Sequence, residues 1–181
     1  FFENILFPLS FLKRIFSMLG NLEGKKVLEY GCSVGTITRR LAKKVTPKGR
    51  VYACDFVKHN VKIASSQLKK HKQVHFFHHQ HLNHFKPDYQ LPKVDALLSL
   101  GVLSYLQKPQ IVLKHLGEKV KKGGKIVVVD YDQFFHLIPN VPWIRDYQKL
   151  KKMFQKAGFK VEVMTRRGLL WKYIIIHGEK V

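Results

Sequence analysis

The feature that most constrains this chain is a regular alternation of two hydrophobic periods. Apolar runs of strand length fall at Lys25 to Tyr30, Arg50 to Asp55, Val74 to His78, Val94 to Leu100 and Lys125 to Asp130. Between them lie stretches with helical spacing: one opening after Gly35 with Ile37 and Leu41, one from about Lys58 to Lys70, and one from about Pro109 to Val120. Strands joined through helices run parallel, so five of them predict a doubly wound, Rossmann-like α/β sheet. The tail breaks the pattern. After a helix predicted from about Ile144 to Lys156 and ended by Gly158, two strand-like runs, Lys160 to Thr165 and Leu170 to His177, are separated only by Arg166-Arg167-Gly168 and Leu169. So short a link cannot hold a crossover and predicts an antiparallel hairpin.

The 181 residues, 45% of them hydrophobic, suit one domain. Lys13, Arg14 and Lys172 interrupt the longest apolar tracts, so none reaches the roughly 18 residues of a membrane span. The apolar opening at Phe1 has no basic leader or cleavage site and reads as a chain lacking its native N-terminus. Residues 5 to 19 place Ile5, Leu9, Leu12, Ile15, Phe16 and Leu19 on one helical face, interrupted early by Pro8. Cys32 and Cys54 have no bridge-forming context, which points to a reducing cytoplasm. The formal charge of +21 favours anionic partners, yet 26 of the 33 basic residues are Lys, whereas bidentate reading of phosphate favours Arg.

The chemical signal lies in Glu29-Tyr30-Gly31-Cys32-Ser33-Val34-Gly35, a strand end, a glycine-bearing turn and a helix start. Glycines there let the backbone approach a ligand at a helix N-terminus. Ser33 and Thr36 stand where a dinucleotide fingerprint needs glycine, which argues against a nicotinamide enzyme. The segment resembles the first motif of the class I S-adenosylmethionine-dependent methyltransferases, an acidic residue followed by G-x-G-x-G, with Ser33 replacing the middle glycine. The likeness covers roughly residues 22 to 178 and includes the C-terminal hairpin, since the family's sheet has strand order 3-2-1-4-5-7-6. By their helical spacing residues 1–20 are expected to form an N-terminal amphipathic helix or lid, and the likeness implies an S-adenosylmethionine-binding methyltransferase domain over 21–181.

By that resemblance Glu29 would receive the ammonium of the cofactor's methionine part, with Gly31, Cys32, Ser33 and Gly35 passing beneath it. Asp55, ending the second strand and followed by Phe56, would accept the ribose hydroxyls. Gln80, followed by His81, takes the place of the family's adenine-binding acid. The segment from Ser99 to Tyr105 resembles the part that lies beside the sulfonium, with Leu100 and Tyr105 as contacts. Methyl transfer from a sulfonium needs alignment more than a base, so the catalytic residues are open; Asp130, Tyr131, Asp132 and His136, expected just beyond the fifth strand, are candidates for positioning or proton transfer.

Six histidines between His71 and His84 suggest a metal, but strand alternation sends them to both faces and no metal is expected. Phe76, Phe77, Trp143 and Trp171 read as core or lid residues. No N, P-P-Y/F-type motif follows the fourth strand. The favoured function is therefore methyl transfer to a small or lipid-like acceptor, with an RNA methyltransferase or a non-catalytic binding protein of the same fold as alternatives. The expected site is cytoplasmic, with peripheral membrane contact through residues 1–19, nucleic acid the less favoured partner, and the oligomeric state open.

Overall fold

The computed structural model describes residues 8–87 and 90–181. Helix α1 (Leu9–Leu19) begins as soon as Pro8 permits, and buries Phe11, Leu12, Ile15, Phe16 and Leu19 along one stripe. Each of these contributes about 1.5–3 kcal/mol by leaving water. Then come β1 (Lys26–Tyr30), α2 (Thr36–Val45), β2 (Arg50–Asp55), α3 (Lys58–Gln67), β3 (Val74–His78), β4 (Val94–Leu100) and a 3-10 turn at Leu103–Tyr105. The second half adds α4 (Pro109–Lys119), β5 (Val120–Phe134), β6 (Ile138–Pro139), α5 (Pro142–Arg145), α6 (Tyr147–Lys156), β7 (Phe159–Arg167) and β8 (Trp171–Lys180).

The sheet order is β3-β2-β1-β4-β5-β8-β7, parallel from β3 to β5 and antiparallel where β8 enters between β5 and β7. With the two-residue β6 set aside, this is the expected 3-2-1-4-5-7-6. One core layer joins the stripe of α1 to Leu41 and Val45 of α2 and to Val27, Val51, Leu98 and Val127. The other packs Leu28, Leu97 and Val128 against Leu113 of α4 and Leu150 and Phe154 of α6. Both faces are covered, which is why the central strands read as continuous apolar runs.

Three elements differ from expectation. The fifth strand does not stop at Asp130 but continues to Phe134, because Tyr131, Gln133 and Phe134 pair with Tyr173, Lys172 and Trp171 of β8 across an irregularity at Asp132. The helix expected over 144–156 is broken at Asp146, whose carboxylate accepts the Lys149 N–H at 2.9 Å and caps α6. The third deviation is a tight hairpin between β5 and β6, with residues 135–137 between the paired Phe134 and Ile138. Phe135 (φ 50°) and His136 (φ 57°) are both left-handed, and Leu137 N–H reaches the Phe134 carbonyl at 3.0 Å. Asn-Gly is the usual choice there; two larger residues cost about 1–2 kcal/mol each.

Candidate functional site

The order of the sheet changes direction between β1 and β4, so the chain leaves them to opposite sides and a crevice opens beyond their carboxyl ends. The Glu29–Gly35 turn and Asp55 converge at this point. Gly31 and Cys32 N–H groups both donate to the Cys54 carbonyl at 2.8 Å, lashing the turn to β2. Asp55, 5% exposed, accepts Ser33 N–H at 2.8 Å on one oxygen, and on the other Val57 N–H at 2.8 Å and the Asn60 amide at 3.4 Å. A carboxylate offers about four lone-pair directions, so one remains for a ligand hydroxyl.

Ser33 has φ 47°, so the conformation that favours glycine is kept with a serine and held by the bond to Asp55. At Gly31 (φ +92°) a Cβ would lie 2.1 Å from Val102 Cγ2, so the turn and the segment after β4 approach closely enough to demand glycine. Gly35 is also left-handed and sits against Ala64 and Leu68. Glu29 is 3% exposed and accepts the Thr38 hydroxyl at 2.6 Å, an anchor on α2 that the strand-and-turn reading overlooked. Cys32 is buried, so the position can serve a ligand only through its backbone. Burial holds the thiols of Cys32 and Cys54 far above their ordinary pKa, which removes both as nucleophiles.

Phe56 and Tyr105 meet with ring centroids 6.1 Å apart, and Tyr105 is 61% exposed. Gln80 and His81 are both exposed just past β3, and Leu100 is half-buried at the end of β4. His79, just before Gln80 and His81, is buried, with Nε2 at 2.9 Å from the His84 carbonyl and its ring edge-on to Phe85. Burial lowers its pKa. His75 stacks on Tyr52, and His78 bonds the Phe56 carbonyl. Among the described residues no three His, Cys, Asp or Glu side chains form a metal-holding group.

The four candidates from the fifth strand separate. Asp130 and Asp132 lie within β5 and are each 1% exposed, not at an open rim. Asp130 accepts Ser104 N–H and Tyr131 N–H at 2.7 Å and the Ser104 hydroxyl at 3.3 Å. Burial raises its pKa to about 6, against those bonds. It therefore pins the segment after β4. Asp132 is met by Lys172 Nζ at 2.7 Å, Arg145 Nε at 3.4 Å and the Tyr147 hydroxyl at 3.0 Å. Tyr131 points to the opposite face, 3.7 Å from where a Gly101 Cβ would be, and joins Phe134, Trp171 and Tyr173 at centroid distances of 5.3, 5.6 and 5.7 Å. His136 stands apart in the β5–β6 turn. Ser104 and this aromatic wall were missed from sequence; the wall's one signal is the alternation Tyr131, Trp171, Tyr173 on facing strands.

A groove of about 570 Å³ lies between α1 and α2, lined by Leu9, Phe16, Lys13, Arg39, Arg40 and Lys43 among others. Only its Thr36 end reaches the glycine turn, so its size does not make it the reaction site.

A family model described as "Methyltransferase domain" matches residues 21–167. The chain belongs to the methyltransferase domain family and has the fold of S-adenosylmethionine-dependent methyltransferases. A demethylmenaquinone methyltransferase of Geobacillus sp. (strain WCH70) is 32% identical over 114 residues, 61% of this chain and 47% of that protein. The chain thus spans about half the length of that relative. A second, from Alkalihalophilus pseudofirmus, is 27% identical over 80% of this chain and 75% of its own length. The tRNA N(3)-cytidine methyltransferase METTL2 of Danio rerio is 30% identical over 60% of this chain and 32% of its own. Among solved structures, a SAM-dependent methyltransferase from Aquifex aeolicus superposes with TM-score 0.77 at 21% identity, covering 99% of this chain and 93% of that one. The [4+2]-cyclase SpnF has the same fold (TM-score 0.71, 13% identity, 93% and 80% covered), so the fold alone does not name the reaction.

Proposed function

We propose that this chain transfers the methyl group of S-adenosylmethionine to a small, flat, apolar acceptor of the quinone or lipid-like class. The observation that carries the acceptor class is the aromatic wall of Tyr131, Phe134 and Trp171 beside Gly101, at the end of the crevice facing β4 and β5. A planar apolar ring stacks on such a wall, and the demethylmenaquinone relatives act on an acceptor of that kind by name.

The turn and Asp55 fit the cofactor. The backbone of Gly31, Cys32, Ser33 and Gly35 would pass beneath the methionine part, and Glu29, held by Thr38, would receive its ammonium. Asp55 would use its remaining lone pair on a ribose hydroxyl. Phe56 and Tyr105 would flank the adenine, with Gln80 and His81 at its exposed edge and Leu100 beside the sulfonium. When bound, S-adenosylmethionine supplies a methyl on a cationic sulfur that the acceptor displaces in line. The chain's own part is to hold the two in line and exclude water: Asp130 fixes Ser104 and so the 101–105 segment, and Tyr131 fixes the acceptor plane. A lid from residues 1–20 would complete that exclusion. Residues 9–19 form α1 on the sheet, whereas Phe1, Phe2, Ile5, Leu6 and Phe7 lie outside the described residues.

Incubation with radiolabelled cofactor tests the reading. Label should enter a demethylated hydroxynaphthoquinol in detergent micelles and not tRNA; label in tRNA alone would transfer the assignment to RNA, the reading that the net charge of +21 and the METTL2 relative favour. Calorimetry showing no cofactor binding would leave a non-catalytic domain, the reading favoured by Ser33 and Gln80 at positions where the family carries glycine and an acid.

A further inference from the structure

The β5–β6 turn and the β7–β8 turn form one protruding corner of the sheet. Trp171 faces Phe134 in the β5–β8 ladder and its ring stands 5.1 Å from that of Phe135. Nε2 of His136 lies 3.1 Å from the carbonyls of Gly168 and Leu169, tying one turn to the other. From this corner five large apolar side chains project into solvent: Leu169 is 90% exposed, Leu137 83%, Ile138 57%, Phe135 54% and Leu170 36%. They are half of the exposed large apolar residues among those described. Phe135 is presented by a backbone that holds two consecutive non-glycine residues at positive φ, a strain that serves no core contact for that exposed ring.

The surroundings are cationic. Arg166 and Arg167 precede the second turn, and Lys172 pairs with Arg167 across it. No acidic residue occurs in 133–145 or 163–178, and the Asp132 carboxylate nearby is buried against Lys172 and Arg145. Lys172 and Arg145 share Asp132 and Arg166 lies over the Phe11 ring of α1, so the tip is flanked by a net positive surface with Arg167 exposed beside it. That matches an anionic bilayer, whose phosphates meet the cations while its acyl region receives the tip. Nucleic acid offers nothing to bury the five apolar side chains. Helix α1, by contrast, spends its apolar stripe on the sheet.

We propose that the paired turns at 134–138 and 168–170 are a membrane-docking tip that inserts into the surface of an anionic bilayer. Strand β5 runs from this tip to Tyr131 beside Gly101, so docking brings the mouth of the crevice to the lipid surface. The inference stands apart from the acceptor reading, since docking needs neither cofactor nor acceptor.

Co-sedimentation with vesicles of phosphatidylcholine mixed with phosphatidylglycerol, at near-physiological salt, tests it. The full chain should be retained, and the double variant Leu137→Ser/Leu169→Ser should partition about tenfold or more less strongly. A change at an exposed apolar residue outside the corner, Ile111→Ser (42% exposed), should alter nothing. In a Trp143→Phe background, brominated phospholipid should quench Trp171. Retention of the double variant at the wild-type level, no retention of the wild type, unquenched Trp171 emission, or a corner that instead closes on a second copy in gel filtration would each overturn the proposal.

Discussion

Replacing Asp55 separates two jobs that the structure gives one carboxylate. Its oxygens accept the N–H groups of Ser33 and Val57, both at 2.8 Å, and the side chain is 5% exposed. Asp55→Ala strands two backbone donors in a part-buried position, at about 1–2 kcal/mol each, so the protein should lose about 2–4 kcal/mol of stability. The same change removes the acceptor proposed for the ribose, which should cost a further 1–3 kcal/mol in cofactor affinity, or about 5- to 150-fold in Kd. Asp55→Asn keeps one acceptor oxygen and should fall between wild type and Ala on both measures. Calorimetry with S-adenosylhomocysteine beside a urea melt reads the two losses apart. A folded Asp55→Ala protein with wild-type affinity would refute the placement of the cofactor, whatever its stability.

Ser33→Gly should stabilise the chain by about 1 kcal/mol in a urea melt, because glycine adopts φ 47° without strain and keeps the N–H bond to Asp55. Gly31→Ala should destabilise it by about 2–4 kcal/mol: its methyl would lie 2.1 Å from Val102 Cγ2, and adding Val102→Ala should recover only the steric share, leaving the cost of φ +92°. Asp130 has a folded-state pKa of about 6, above the ordinary 3.8, so the folded state binds the extra proton. Its contribution to stability should thus fall as pH rises from about 4 to 6, by roughly 2–3 kcal/mol. Melts of wild type against Asp130→Asn across that range should show the difference shrinking towards acid; a constant difference contradicts the buried-acid account.

The strand order was legible because buried parallel strands and amphipathic helices leave different periods, and the link from Arg166 to Leu169 is too short for anything but a hairpin. Even there the turn starts two residues later, at 168–170, where Gly168 N–H closes on the Trp171 carbonyl. Glu29 and Asp55 were legible from their places at strand ends around a glycine turn. What escaped was fixed by distant residues. Asp130 and Asp132 look like loop acids until Ser104, Lys172 and Arg145 supply the partners that let them be buried in β5. The Phe135-His136 turn escaped because neither residue carries a left-handed signal, and the docking corner escaped with it.

The central claim is that the cofactor lies across the ends of β1 and β2, and a crystal structure of the chain with S-adenosylhomocysteine tests it most directly. The account predicts a ribose hydroxyl within hydrogen-bond distance of Asp55 and the methionine part over Gly31 to Gly35. A ligand seated instead in the α1–α2 groove among Lys13, Arg39 and Lys43, with Asp55 untouched, would contradict it.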